Sequence, residues 1–166
     1  SMLLHCIGDF ERISDHAVNI AQSAKEMYEK ELKFSKKAEE EIVIFSALIQ
    51  EIVSTSVQVF ETEDVKLAKE VEPMEEVVDG LNDEIKKRHI RRLRKGKCTI
   101  ELGFSLSDIT TNYERIADHC SNIAISLIQI PDDAYASHEY VENLEKGEDS
   151  QYHEALVKYT EKYMLP

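Results

Sequence analysis

The sequence predicts an all-α fold, an antiparallel up-down helical bundle, on three observations. Only 5 of its 166 residues are Gly and 3 are Pro, so the few punctuating residues mark where helices stop. Apolar residues recur at three- and four-residue steps over long stretches, the spacing of one face of an α-helix. Connections of only a few residues separate these stretches, which forces successive helices to run antiparallel.

The first helix is expected from Leu3 to about Phe34, with Ile7, Phe10, Ile13, Ala17, Ile20, Ala21 and Ala24 on one face. Leu3 enters the pattern with no capping residue ahead of it, as expected of a chain cut inside a longer protein. Ser35 is placed to cap a second helix from about Lys36 to Glu61, whose Ile42, Phe45, Leu48, Ile49, Ile52, Val53 and Val57 form a broad apolar stripe. Thr62 is the expected cap of a third, from about Glu63 to Arg94. Pro73 cannot donate to a helical ladder, so a kink or restart belongs there, with Pro73 in a first turn. Gly96 supplies the stop. A fourth helix is expected from Cys98 to Ile130, closed by Pro131, and after an acidic linker a short helix from Ser150 to Tyr163.

The charge balance excludes several functions. With 33 acidic against 20 basic residues the chain carries a net charge of −13, and such a surface repels phosphate backbones, so no nucleic-acid partner is expected. No run of about 18 apolar residues and no basic-then-apolar leader is present, so this stretch is read as soluble. Cys6, Cys98 and Cys120 form no CxxC pair and are read as small core residues of a protein in a reducing compartment. No triad spacing and no Gly-rich phosphate loop appears, so the chain is not expected to be an enzyme.

Displacing the sequence by 103 residues lays residues 9–21, DFERISDHAVNIA, over residues 112–124, NYERIADHCSNIA, with eight of thirteen positions identical. Both copies carry E-R-I-x-D-H-x-x-N-I-A, a duplication with too long a period for a solenoid. In each copy Glu11, Asp15 and Asn19, or Glu114, Asp118 and Asn122, step by four residues and stack along one side of a helix. The third segment offers Glu75 and Asp79 at the same spacing, with Asp83 and Glu84 one turn on. Carboxylates from facing helices are how bundles assemble multinuclear metal sites. Taken singly, such pairs are commonly solvated or bridged by Arg, and Arg12 and Arg115 are at hand. His16 and His119 point about 100° away from the neighbouring Asp, so a hydrogen bond at a helix contact is the simpler role for each, with ligation or phosphotransfer the alternatives.

The two E-R-I-x-D-H-x-x-N-I-A segments resemble the signature of PhoU-domain proteins, regulators of phosphate uptake built from two three-helix repeats. The resemblance implies that residues 1–34 are the last helix of a truncated first repeat, 35–131 a complete second repeat including the stretch from Glu75 to Ile85, and 132–166 a linker and helical tail. It implies a multinuclear iron or zinc cluster, or another divalent metal, on Glu75, Asp79, Glu114 and Asp118, with Glu11 and Asp15 as half of a second site. Asn19, Asn122, Asp83, His16 and His119 are candidates for additional or supporting roles. His138-Glu139-Tyr140 and the final stretch from Lys158 to Pro166 resemble the end of bacterial Na⁺/phosphate cotransporter proteins that carry a PhoU-like region after their membrane domain. That implies a regulatory domain of a sodium-dependent phosphate transporter at the cytoplasmic face of the cell membrane. Its implied partners are the transporter's own membrane domain, a second copy of the chain, and phosphate held through the metal. A carboxylate-bridged metalloenzyme and a metal-free helical interaction module are the alternatives.

Eight of the 20 cationic residues, Lys86, Lys87, Arg88, Arg91, Arg92, Arg94, Lys95 and Lys97, fall in twelve positions. Cations complement the dipole of a helix C-terminus. The alternative is contact with anionic lipid or the parent transporter.

Overall fold

The computed structural model describes residues 2–128 and 150–166. Among these residues the elements are α1 (Met2–Glu29), α2 (Lys36–Thr62), α3 (Val65–Ala68), α4 (Val71–Arg94), α5 (Ile100–Ile128) and α6 (Ser150–Lys162), with no strand. The expected Pro131 stop and the linker lie outside the described residues.

Helix ends follow local chemistry. Ser35 caps α2, its hydroxyl accepting from the Ala38 amide at 3.2 Å. At the end of α4 the Gly96 and Lys97 amides donate to the Leu93 and Arg92 carbonyls, a closure that needs the left-handed backbone of Gly96 (φ 65°). Glu31 closes α1 in the same way with φ 55°, so this helix stops at Glu29 and not near Phe34. Thr62 does not cap a third helix as expected. It lies in the last turn of α2, where its hydroxyl donates back to the Gln58 carbonyl. Asp64 caps the single turn of α3 instead, accepting from the Leu67 amide. The restart therefore precedes Pro73, at Lys69–Glu70, and leaves Pro73 in the first turn of α4, where a missing amide is harmless.

α2, α4 and α5 form an up-down-up bundle. Glu41 near the start of α2 meets Arg88 and Arg92 near the end of α4, and Asn82 and Glu72 of α4 meet Glu114 and Ser121 of α5. Both pairs are thus antiparallel. Phe45, Leu48, Ile52, Met74, Val78, Ile85, Leu106 and Ile123 are enclosed at the centre, with the rings of Phe45 and Tyr113 edge to face at 5.1 Å. By length and composition α2 is apolar enough to cross a membrane. Here its apolar stripe, from Phe45 to Val59, is spent on the bundle core.

α1 lies antiparallel along the outer side of α5, Asp9 meeting His119 at one end and Lys30 meeting Glu101 at the other. Cys6, Ile13 and Met27 are buried, and Phe10 packs on Phe60 of α2 at 5.3 Å. Half of the apolar face stays open: Leu3 is 53%, Ile7 50% and Val18 53% exposed. Their equivalents in the second motif copy, Leu106, Thr110 and Ser121, are buried. The exposed side of α1 thus corresponds to the side of α5 that α2 and α4 cover.

α6 lies over the groove between α2 and α4. Tyr152, Ala155 and Tyr159 are buried, Tyr159 donating to Glu70 at 2.9 Å and Tyr163 to Glu51, which Lys162 also holds at 2.8 Å.

Phe45→Ala removes the largest enclosed side chain from the α2/α5 contact and should lower stability by about 3–5 kcal/mol, read as a shifted urea midpoint with unchanged slope. A loss below about 1 kcal/mol would place the core elsewhere.

Candidate metal centre

Of the six acids expected as ligands, Glu75 and Asp79 group with Glu76 on α4, while Glu114 and Asp118 of α5 lie close enough across the helix contact for their charges to act on Asp79. Antiparallel packing sets Glu75 and Asp79 of α4 against Glu114 and Asp118 of α5, and each position follows from the four-residue spacing within its helix. The charges of both Asp79 and Asp118 act on the Glu75 carboxyl. Burial, then the charges of Asp79, Glu72, Asp118 and Glu76, push its carboxyl up from 4.5 to about 9. Burial and the charges of Glu114, Asp118 and Glu76 raise Asp79 to about 6. Asp118 is raised too, by burial and Glu114, against the lowering effect of Arg115, His119 and the hydrogen bond from Glu75. Near neutral pH and without a cation, Glu75 is the protonated member, donating within a group of carboxylates that cannot all ionise together.

Additional residues complete the site. Ligand oxygens of Glu75, Glu76 and Asp79 lie within 4.8 Å of one another. Asn82, 3% exposed, donates through Nδ2 to Glu114, and its buried Oδ1 has no hydrogen-bond partner among the described residues. Ser121 donates to Glu72 at 2.6 Å. Asp83 instead points to the exterior one position beyond Asn82, and Glu84 pairs with Arg88 and Arg91. Nothing in the four-residue spacing identified Asn82. Its place one helical turn beyond Asp79, at a three-residue step on the same side of α4, was the available signal.

Glu11 and Asp15 do not join this group. They are exposed on α1 and line a surface cleft of about 520 Å³ with Gly8, Arg12 and His16, all from the same helix.

The His and Asn repeated in each motif copy serve a different contact from the acids. His119 Nδ1 donates to Asp9 at 2.8 Å and Asn122 joins at 3.3 Å. In the mirrored arrangement, His16 Nδ1 donates to Asn112 Oδ1 at 2.9 Å and Asn19 joins at 3.3 Å. The two histidine rings stack between these pairs, 5.7 Å apart and inclined by 22°. Asp9 and Asn112 are equivalent under the 103-residue displacement, so α1 and α5 clasp each other about a local pseudo-two-fold axis. The histidines are therefore helix-contact residues, and Asn19 and Asn122 belong to the clasp and not to the acid group. Asp9 and Asn112 head the two copies of the repeat without being identical, so the repeat's identities do not mark them.

The family profile of the PhoU domain matches residues 42–127, which contain α3, α4, the acid group and nearly all of α2 and α5. The chain belongs to the PhoU domain family. It is 30% identical over 128 residues to the phosphate-specific transport system accessory protein PhoU homolog 1 of Thermotoga maritima, covering 77% of this chain and 54% of that protein. It is 31% identical over 142 residues to the phosphate-specific transport system accessory protein PhoU homolog of Aquifex aeolicus, covering 86% of this chain and 62% of that one. The alignments thus span between half and two thirds of these PhoU relatives. No solved structure is significantly similar to the chain.

The raised carboxyl of Glu75 makes a signed prediction for the metal-free protein. An unfolded chain releases this proton near 4.5, whereas the folded one holds it to about 9. The folded state therefore binds more protons between those limits, and stability falls as pH rises through them. The thermal midpoint in EDTA should drop from pH 5 to pH 8.5, and Glu75→Gln should flatten that slope. An equally steep slope in the variant would remove Glu75 as its source. Separately, Asn112→Ala takes the shared acceptor from His16 and Asn19 and should cost about 1–2 kcal/mol. It should appear as faster amide exchange in α1 ahead of α2; uniform loss across both helices would contradict a clasp.

Proposed function

We propose that this chain is a PhoU-type regulatory domain acting in phosphate transport, which binds a metal through Glu75, Asp79, Glu114 and Asp118 and works by protein contact and not by catalysis. The convergence of these acids across α4 and α5 carries the reading. The donor set suits a hard cation: every candidate is an oxygen, and carboxylates favour Mg, Ca, Mn or carboxylate-bridged iron over soft metals. The partnerless Oδ1 of Asn82 is a further oxygen beside Glu114. A cation bound there would neutralise the repulsion that now holds a proton on Glu75, so binding should release that proton. Glu75 and Glu114 would orient the outer carboxylates, and exposed Asp79 and Asp118 leave the group open on the bundle face, where a second protein or a phosphate can reach it. That openness favours sensing over a catalytic site, which would exclude water.

The names of the relatives from Thermotoga maritima and Aquifex aeolicus place those proteins in phosphate-specific transport, and the same process is proposed here. The tail's likeness to Na⁺/phosphate cotransporters makes a sodium-dependent transporter at the cytoplasmic membrane face the proposed context, with its membrane domain as partner. Glu11 and Asp15 would form a second metal half-site, completed by helices that cover the open face of α1 or by a second copy of the chain.

Elemental analysis after incubation with Fe³⁺, Zn²⁺ or Mn²⁺ and gel filtration tests the reading. At least one metal should be retained by the parent chain, and Asp118→Asn or Glu75→Gln should reduce retention several-fold with unchanged far-UV circular dichroism. Equal retention in both variants would exclude the acid group as the site.

A further inference from the structure

The opposite end of the bundle carries a second arrangement, independent of the acid group. Lys37 in the first turn of α2 and Arg88, Arg91 and Arg92 near the end of α4 line a cavity of about 330 Å³ closed on one side by Pro166. We infer that this cavity binds a phosphate group borne on a small organic body.

Its construction supports an anion site. Glu41 is 2% exposed and holds both guanidinium groups from behind. Arg92 grips it with two parallel bonds of 3.0 Å, and Arg88 reaches it at 3.3 Å while donating to the Pro166 carbonyl at 2.8 Å. Both Nη groups of Arg92 are held by Glu41, and Nε and Nη1 of Arg88 by Glu84, Glu41 and Pro166, so both guanidiniums are fixed in place beside the cavity. They are planar groups of the kind phosphate oxygens pair with, and little side-chain freedom is left to lose on binding. In front of them Lys37 and Arg91 are exposed.

Charge points the same way. Glu40 and Glu41 also line the cavity, and Glu84 pairs with Arg88 and Arg91, yet the four cations outnumber these three carboxylates within a chain of net charge −13. Lys87, Arg91 and Lys95, all exposed, follow one another at four-residue steps on α4. Like charges so spaced weaken an isolated helix, and the ion pairs to Glu41 need none of these three. Of the three, Arg91 lines the cavity, where a bound anion would offset its repulsion with the other two, and the start of α2 adds the positive end of its dipole. The volume lies in the range of small-molecule sites, larger than an inorganic phosphate alone requires. A phospholipid headgroup and a soluble phosphomonoester share this chemistry.

The test uses the whole chain in EDTA, so that metal-held phosphate does not contribute. Calorimetry with sn-glycerol 3-phosphate reads the soluble source, and co-sedimentation with phosphatidylglycerol/phosphatidylcholine vesicles, against phosphatidylcholine alone, reads the headgroup. Saturable binding in either arm is expected, with the responding arm naming the source. The exposed double substitution Lys37→Ala/Arg91→Ala should weaken it at least tenfold while leaving circular dichroism unchanged. Lys25→Ala/Lys66→Ala, equal in charge but remote, should change it less than twofold. Absence of binding in both arms, or equal losses in the two double variants, would overturn the proposal.

Discussion

Packing of α5 against α2, α4 and α1 at once is the constraint from which the remaining arrangement follows. α2 and α4 cover one side, α1 another, and Leu106, Ile109, Ile116, Ala117, Ile123 and Leu127 fill the contacts. The polar groups that α5 turns toward these neighbours lose solvent and find partners on the facing helices. Glu114 and Asp118 find α4, where the partners are themselves acids. His119 and Asn122 find Asp9 of α1. The same eleven-residue motif therefore serves two interfaces at once, because 3.6 residues per turn directs its acids one way and its histidine another.

The acid group works against stability in the metal-free protein. Four carboxyls at a partly desolvated helix contact repel one another, and the chain answers by leaving Glu75 protonated. Such an arrangement gains from a cation what it otherwise loses to repulsion. The clasp between α1 and α5 differs in kind: its histidine and asparagine donors each meet an acceptor on the facing helix, so it holds two helices together without needing a ligand.

α4 is electrically divided along its length. Its first turns carry Glu72, Glu75, Glu76 and Asp79, and its last turns carry Arg88, Arg91, Arg92 and Arg94. Each end suits the helix dipole, which accounts for much of the segregation. The dipole does not account for two arginines drawn onto the buried Glu41, since an exposed cation would serve it equally well. The side chains of the basic stretch thus split between an inward-facing anchor and an outward-facing row, a division no count of charges reveals.

Several features were already determined by the sequence, because they depend on residues close together in the chain. The all-α class follows from apolar periodicity, the α2 start from the Ser35 hydroxyl, and the α4 stop from the left-handed freedom of Gly96. The duplication of E-R-I-x-D-H-x-x-N-I-A, with a third acid pair at Glu75 and Asp79, named six carboxyls, of which the pairs on α4 and α5 face one another. Local sequence was less reliable where two capping residues competed: Thr62 and Asp64 both suit a helix start, and the αL backbone at Glu63 passed that role to Asp64. Tertiary structure alone decided which acids face each other, that Asn82 and not Asp83 joins them, that Glu11 and Asp15 remain on an open surface, and that His16 and His119 stack across a pseudo-two-fold axis. These outcomes depend on the direction and rotation of one helix against another. Those quantities are set by how side chains from distant parts of the chain interlock, and spacing along a single helix carries no record of them.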